Sequence, residues 1–339
     1  MFRLLKAAAA VTIVAALGWS AWWLIAARGQ EAALAHWFDA RAAEGWQAET
    51  AAIDTGGFPG RFLTRITRPA LADPEAGWAW SAPELVLDRP ATDPTHVTAI
   101  FAPTQTLAVP GERARIESTR MQAVLALVPG TDLRLREGGV VARGLVVAGQ
   151  SGWRAEAETL DLSVRRREIA GEPPETHEIE AAAEGVLLPE GLMRRIDPTG
   201  LLAPRVTALR LDGLVVPDRP LDRRVIEQGG VGARTLVIRR AVLDWDGMGL
   251  TARGRLDADA AGYAEGEIAL SLSDWRRLVA LARSTGALRA EVADAVEGAL
   301  ELVAMFNRSG TLDVTVSFGS GKARIGPVPV GPAPRLTEP

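Results

Sequence analysis

The chain of 339 residues contains no cysteine, one tyrosine, three histidines and two lysines, which are Lys6 and Lys322. The absence of cysteine excludes disulfides and all thiol chemistry. The histidines His36, His96 and His177 are far apart and lack metal-binding spacing such as HExxH. We therefore interpret all three as surface residues and expect no metal.

Motifs for catalysis are also lacking. Gly319-Ser320-Gly321-Lys322 has neither the upstream glycine nor the following Ser or Thr of a phosphate-binding loop, and it is better explained as a turn. Glu178 and Glu180 alternate with apolar residues, so both carboxylates are expected to face solvent. We therefore expect that the protein is not an enzyme and carries no cofactor.

Positive charge is sparse as well. The formal net charge is −4, and it becomes −7 without Arg3, Lys6 and Arg28, which flank the longest apolar run. Binding to phosphate backbones requires a basic face, so this acidic balance argues against nucleic acid as a partner.

One long apolar run is present, from Ala7 to Ala27, and it contains no charge. A helix needs about 20 apolar residues to cross a bilayer core. Three tryptophans near its end, Trp19, Trp22 and Trp23, are bulky where a signal peptidase requires small residues. These features favour an uncleaved anchor over residues 1–28, although the alanines near position 27 leave cleavage open.

The charges around the run predict its orientation. Arg3 and Lys6 precede it, and the positive-inside rule keeps basic segments in the cytoplasm. We therefore expect a single-pass inner-membrane protein, held through residues 7–27, with a cytoplasmic N-terminus and a periplasmic domain. Apolar spacing in residues 29–46 predicts a juxtamembrane helix that either continues the span or lies on the membrane surface.

Period-two alternation dominates the sequence after Gly45, as in Leu160-Asp161-Leu162. Such alternation is typical of antiparallel strands with one apolar and one wet face. Glycine-containing pairs read as turns between the strands at Gly138-Gly139, Asp212-Gly213 and Asp246-Gly247. Helical patterns interrupt the strands at residues 189–196, 274–284 and 287–306.

The predicted fold is mainly β with some α. An N-terminal transmembrane helix precedes a long curved antiparallel sheet, and a C-terminal helical pair packs on that sheet. We predict one β-rich domain over residues 47–330, because no strong linker divides it, and a proline-rich tail over 331–339 that is extended or disordered.

Three segments carry a family resemblance. The first is Gly56-Gly57-Phe58-Pro59-Gly60-Arg61-Phe62, shortly after the apolar run, and the others are residues 245–272 and 310–330. Together they resemble domain of unknown function family 2125, a group of uncharacterised membrane-anchored proteins of Gram-negative bacteria. The resemblance implies no catalytic residues. We interpret Gly57, Phe58, Pro59, Arg61 and Phe62 as a turn that anchors the sheet near the membrane, with ligand contact as the alternative.

The overall plan is also similar, in architecture, to AsmA-type proteins, which are anchored in the inner membrane, rich in β-structure and linked to envelope lipid traffic. Predicted helices are too few to cover so large a sheet, and its remaining apolar face must either curl on itself or stay open as a groove. An open groove predicts binding of phospholipid or another amphiphile. A closed core predicts a structural or adaptor protein that binds other envelope proteins. The residues expected to line a groove are Leu160, Leu162, Leu243, Trp245, Leu270, Leu272, Val314 and Val316.

Overall fold

The structure is a computed structural model, and it describes residues 2–130, 132–222, 225, 230–284, 294, 297–298, 300–301 and 311–337. Contacts divide the chain into two compact units. Unit 1 is Met1–Ala126 with Gly149–Ser151, and unit 2 is Leu127–Ala148 with Gly152–Pro339. The sequence predicted one β-rich domain over 47–330. The chain passes between the two units without a recognisable linker.

Unit 1 begins with a continuous helix, α1, over Phe2–Ala43. The predicted anchor and the predicted juxtamembrane helix are therefore parts of one helix. Its stretch Ala9–Ala43 is long and apolar enough to cross a membrane, and little of it is buried within the protein. The helix ends where Gly45 adopts a positive φ of 94°, a conformation that favours glycine.

Ten strands follow α1, and they begin in unit 1. They are β1 Gln47–Glu49, β2 Ala52–Gly56, β3 Arg61–Thr67, β4 Ala70–Asp73, β5 Trp78–Ser81, β6 Glu84–Pro90, β7 His96–Phe101, β8 Thr104–Val109, β9 Glu112–Glu117 and β10 Arg120–Leu127. Antiparallel pairing joins them in two arrays, β2-β3-β6-β7-β10 and β1-β4-β5-β8-β9.

The chain passes from one array to the other at short interruptions, and three of these contain a proline. They are Arg68-Pro69, Ala82-Pro83 and Ala102-Pro103. Proline has no N–H and cannot donate to a ladder, so it interrupts a strand. The backbone N–H groups of Ala82 and Arg68 still donate across the break, to the carbonyls of Pro69 and Pro83 at 3.1 and 2.8 Å.

Unit 2 is an antiparallel meander in which each strand pairs with the next along the chain. Its strands are β11 Leu135–Gly149, β12 Arg154–Arg166, β13 His177–Leu187, β14 Arg205–Pro217, β15 Ala233–Trp245, β16 Met248–Ala258, β17 Ala264–Ser273, β18 Thr311–Gly319, β19 Lys322–Ile325 and β20 Val328–Pro332. The predicted mainly β fold with a large antiparallel sheet is confirmed.

One of the three predicted glycine turns is confirmed, and the other two glycine pairs lie inside strands. Asp246-Gly247 forms a two-residue hairpin turn with both φ angles positive, as predicted. Gly138-Gly139 and Asp212-Gly213 instead lie inside β11 and β14. A Cβ at Gly139 would lie 2.8 Å from the carbonyl oxygen of Leu162, and one at Gly213 would lie 2.4 Å from that of Val237. These glycines permit close strand approach, which a sequence pattern does not separate from a turn.

Unit 2 contains the short helices α2 over Glu190–Ile196 and α3 over Trp275–Ser284. Both were predicted. Arg277 ties α3 to the β15–β16 hairpin, because its guanidinium donates to the Asp246 carboxylate at 2.6 Å and to the Asp246 carbonyl at 3.0 Å. The second helix of the predicted C-terminal pair, residues 287–306, lies mostly outside the described residues.

The end of the chain is extended and hydrogen-bonded as far as Thr337. The N–H of Ala233 donates to the carbonyl of Leu336 at 2.7 Å, and the N–H of Leu336 donates to that of Gly262 at 2.8 Å. Arg335 lies over the ring of Tyr263 at 4.6 Å and donates to its hydroxyl at 3.2 Å. The tail therefore runs beside the β16–β17 hairpin.

Candidate functional site

Strand register defines one apolar face of unit 2. Residues directly opposite each other in an antiparallel pair project from the same face. One line of such neighbours crosses eight strands and consists of Ala142, Leu160, Ala183, Leu209, Leu243, Leu250, Leu272 and Leu312. The next line consists of Val140, Leu162, Ala181, Leu211, Ala241, Ala252, Leu270 and Val314.

Helices cover the half of this face on β15–β18. Trp275 and Val279 of α3 pack against Leu272 and Leu312 in one buried cluster. A second cluster joins α2 and α3 through Met193, Ile196 and Leu281, which surround Trp245 and Met248. The Trp245 indole N–H donates to the carbonyl of Ala203 at 2.8 Å. This half is an ordinary packed core.

The half on β11–β14 is exposed. We call Val140, Leu160, Leu162, Leu209 and Leu211 the open patch. Leu162 and Leu209 expose 41 % and 39 % of their surface although they lie within an apolar face, and the other three are half-buried. Within the described residues, none of the five belongs to a buried cluster. Aliphatic side chains that stay exposed on a sheet face form a candidate interaction site.

The predicted groove residues are thus separated by the fold. Leu160 and Leu162 lie in the open patch. Leu243, Trp245, Leu272 and Val314 belong to the clusters under the helices. Leu270 and Val316 are half-buried on the same face. The sequence analysis did not single out Leu209, Leu211 and Val140. For Leu209 and Leu211 the available signal was their alternation with polar neighbours in LRLDG, whereas Val140 stands between Gly139 and Val141 and shows no such alternation.

The opposite face is polar. A cavity of about 690 Å³ opens mainly there, with Asp161, Ser163, Arg165, Glu180 and Arg210 among its lining residues. Aliphatic residues line it as well, among them Val141, Val242 and, from the open patch, Leu162 and Leu211. Two of its arginines are paired with glutamates, since Arg165 contacts Glu137 at 2.9 Å and Arg210 contacts Glu184 at 2.6 Å. These guanidinium charges are therefore satisfied within the sheet.

The basic run Arg165-Arg166-Arg167 is neutralised in the same manner. Each arginine pairs with one glutamate, which is Glu137, Glu175 and Glu178 in turn, at 2.9, 3.2 and 2.9 Å. The run is therefore part of a network of surface ion pairs.

His177 differs from the prediction, because its side chain is buried and 1 % exposed. It lies on the apolar face, two residues before Ile179, and its Nδ1 is 2.8 Å from the carbonyl oxygen of Glu175. Burial lowers the pKa of His177. His36 is exposed and His96 half-buried, and within the described residues no group of three or more His, Cys, Asp or Glu could hold a metal.

The motif Gly57, Phe58, Pro59, Arg61 and Phe62 forms the β2–β3 hairpin turn and the start of β3 in unit 1. Phe62 is 2 % exposed and stacks on Trp23 of α1, with ring centroids 5.4 Å apart. Phe58 meets the same indole edge-on at 5.5 Å. The motif therefore joins the first hairpin to the N-terminal helix.

A family defined only as uncharacterised proteins conserved in bacteria (DUF2125) matches residues 23–334, which is most of the chain. The chain belongs to this family. The matched region begins at Trp23, the first residue of α1 that is buried against β3, and ends in the hydrogen-bonded tail. No curated protein and no solved structure matched the chain.

Proposed function

We propose that this DUF2125 protein is a non-catalytic, membrane-anchored protein of the bacterial cell envelope that binds a phospholipid or similar amphiphile on the open patch. The observation that carries the proposal is the exposure of Leu162 and Leu209 in the middle of an apolar sheet face. An apolar chain laid over these leucines removes both surfaces from water, which is worth roughly 25 cal/mol per Å².

The N-terminal helix supports the membrane location. Its apolar residues Val11, Ile13, Val14 and Leu17 are 59–69 % exposed, as expected for a helix whose solvent is lipid. Arg3 and Lys6 precede them, which favours a cytoplasmic N-terminus and a periplasmic domain. Anchoring would hold the domain close to the phospholipid of the bilayer, which is the ligand that we propose.

The chemistry of the open patch favours lipid over a protein partner. Its members are leucine and valine, and the positions between them on the same face are alanine, as at Ala142, Ala181 and Ala183. Interfaces between proteins are enriched in Trp, Tyr and Arg at the positions that contribute most of the affinity. A smooth aliphatic surface suits a flexible acyl chain, which adapts without shape-specific pockets.

A photo-crosslinking residue such as benzoylphenylalanine at position 162 tests the proposal in living cells. The matched control is position 163, the adjacent residue on β12, which projects from the opposite face because successive side chains of a strand alternate. We expect a lipid adduct on the purified full chain from position 162 and none from position 163, identified by mass spectrometry.

Two other results would overturn the proposal. A protein adduct at position 162 supports the adaptor alternative. Equal lipid labelling at both positions indicates mere proximity to the bilayer, not binding by the open patch.

A further inference from the structure

Three side-chain hydrogen bonds join α1 to the β2–β3 hairpin at successive positions along the helix. The indole N–H groups of Trp19 and Trp23 donate to the carbonyls of Pro59 and Arg61, both at 3.0 Å. Further toward the C-terminal end of α1, the Gln30 amide donates to the hydroxyl of Thr64 at 2.5 Å. Helix and strand therefore run side by side from Trp19 onward.

Distances along the helix then limit where the membrane ends. A helix rises 1.5 Å per residue, so the 20 steps from Phe2 to Trp22 span about 30 Å, the thickness of a bilayer core. Arg3 and Lys6 lie at the inner end of this span, where long basic side chains can extend to the interface. A span over residues 7–27 would instead place Arg61 and Asp88, which form an exposed ion pair at the level of Trp23, inside hydrocarbon. Charges there are costly. The geometry assigns the outer boundary to Trp19–Trp22.

Exposed aromatic rings gather at this boundary. Trp19, Trp22 and Phe58 are 40 %, 45 % and 52 % exposed, and the rings of Trp19 and Trp22 lie 4.7 Å apart. Tryptophan is enriched at membrane interfaces because its ring is apolar and its N–H is polar. The hairpin tip thus contributes Phe58 to an aromatic group that includes two residues of the span.

A second arginine, Arg89, lies near this level. Arg89 of β6 is opposite Phe62 in the strand register, and its guanidinium carbon is 4.8 Å from the Phe62 ring centroid. The ring of Trp22 is 6.1 Å from Phe62. Arg89 is half-buried, its Nε is buried without a hydrogen-bond partner, and within the described residues no ion pair to it is found. Burial lowers its pKa.

Such an arginine suits an anion that arrives from outside the protein. Guanidinium groups bind phosphate through several N–H donors, and stacking on an aromatic ring holds the group in place. The headgroup region extends several ångströms beyond the hydrocarbon core, which is about one helical turn above Trp22. The nearest phosphate at that level belongs to a phospholipid.

We propose that Arg89, Phe58 and Trp22 form a phospholipid-headgroup site where α1 leaves the bilayer, with Arg89 binding the phosphate. This site rests on the membrane anchoring proposed above, and it is distinct from the open patch of unit 2. It holds the β2–β3 hairpin against the membrane surface and fixes the depth of the anchor.

Depth measurements on the full chain in vesicles of phosphatidylglycerol and phosphatidylcholine test the position. The chain has no cysteine, so one introduced cysteine carries one fluorescent label. We expect quencher-bearing lipids to quench a label at Phe58→Cys and to leave one at Val109→Cys unquenched. Val109 has a similar exposure, 46 % against 52 % for Phe58. It is the last residue of β8, the strand that follows the interruption at Ala102-Pro103. Equal quenching, or none at position 58, would overturn the site.

Lipid retention tests the role of Arg89. The probe is phosphatidylglycerol that remains bound to the full chain in native mass spectrometry after release from nanodiscs. Loss of charge-assisted hydrogen bonds in Arg89→Gln is expected to weaken retention roughly tenfold. Arg89→Lys keeps a charge and is expected to retain more lipid than Arg89→Gln. The control Arg65→Gln removes a surface arginine that pairs with Glu84, and it is expected to behave like the wild type.

The outcomes separate this site from the proposed function. If the wild-type chain does not fractionate with membranes, the anchoring itself fails. If it does, and Arg89→Gln retains lipid as the wild type does, only the headgroup site is wrong. Excess inorganic phosphate is expected to leave the lipid in place, and displacement of the lipid would show a site for free phosphate instead.

Discussion

The apolar face of unit 2 has two halves that share one register and have different surroundings. On β15–β18, Leu272 and Leu312 are 6 % and 1 % exposed beneath α3. On β12 and β14, Leu162 and Leu209 belong to the same two lines of cross-strand neighbours and are about 40 % exposed. Alternation along a strand therefore decides which face a leucine occupies. A helix packed above it decides whether that leucine is core.

The two halves also differ in what they leave for a ligand. The covered half buries its apolar side chains against α2 and α3, so a substitution there lowers the free energy of unfolding. The open half keeps apolar surface in water, which natural proteins retain chiefly where something binds. Paired substitutions can separate these two roles.

The largest expected difference is between Leu272→Glu and Leu162→Glu. An unpaired carboxylate in the cluster beneath α3 leaves a buried charge, which costs several kcal/mol and is expected to unfold unit 2. At position 162 the carboxylate reaches water, so the fold is expected to survive while lipid capture is lost. Circular dichroism and thermal melts of the full chain measure the first effect. A native-like melt for Leu272→Glu would contradict the contrast between the halves.

A smaller difference is expected between Leu312→Ala and Leu209→Ala. Truncating a fully buried leucine leaves a cavity and costs about 2–5 kcal/mol. Truncating a leucine that is already part-exposed creates no closed cavity, and about 1 kcal/mol or less is expected. Denaturant titration of both variants, with an unchanged slope, gives the comparison. Similar losses would show that the open patch is packed in solution.

The smallest expected effect concerns His177, which lies on the same face at the start of β13, between Arg166 and Val215 in the register. Burial lowers its pKa, whereas the nearby Glu175 raises it and Arg166 lowers it. The unfolded chain then binds a proton more readily than the folded one below about pH 6.5, so stability falls as the pH decreases through that value.

Thermal melts at about pH 7.5 and pH 5.5 measure this effect, across the ordinary histidine pKa. We expect His177→Gln to lose less stability on acidification than the wild type does. His36→Gln is the control, since His36 is exposed on α1. An identical pH dependence for wild type and His177→Gln would remove His177 as the titrating group.

Local patterns in the sequence were sufficient for much of the fold. The phase of Leu243, Trp245 and Leu272 predicted their shared face, and the amphipathic stretch 274–284 predicted the helix that covers them. His177 follows the same period-two alternation, although it was predicted to be a surface residue. It is in phase with Ile179 and Ala181, so strict alternation assigns it to the apolar face, whereas residue type alone suggested the surface.

The candidate sites were predictable only in part. Leu160 and Leu162 were identified, but no local pattern indicated which half of the face α3 would cover, because helix placement depends on tertiary packing. Arg89 lies in the ordinary run LDRP, and only the pairing of β3 with β6 shows that no carboxylate among the described residues pairs with it. Local patterns also gave no indication of the division into two units.

The strict order of the meander in unit 2 has a consequence for how the chain folds. From β12 to β20, every strand pairs with the strand that immediately precedes it in the chain. Such local pairing gives a low contact order, which favours fast folding for a sheet of this size. Because a chain is synthesised from its N-terminus, unit 2 can therefore add one hairpin at a time. The last residues then close the array, when Leu336 bonds to Gly262 and Ala233.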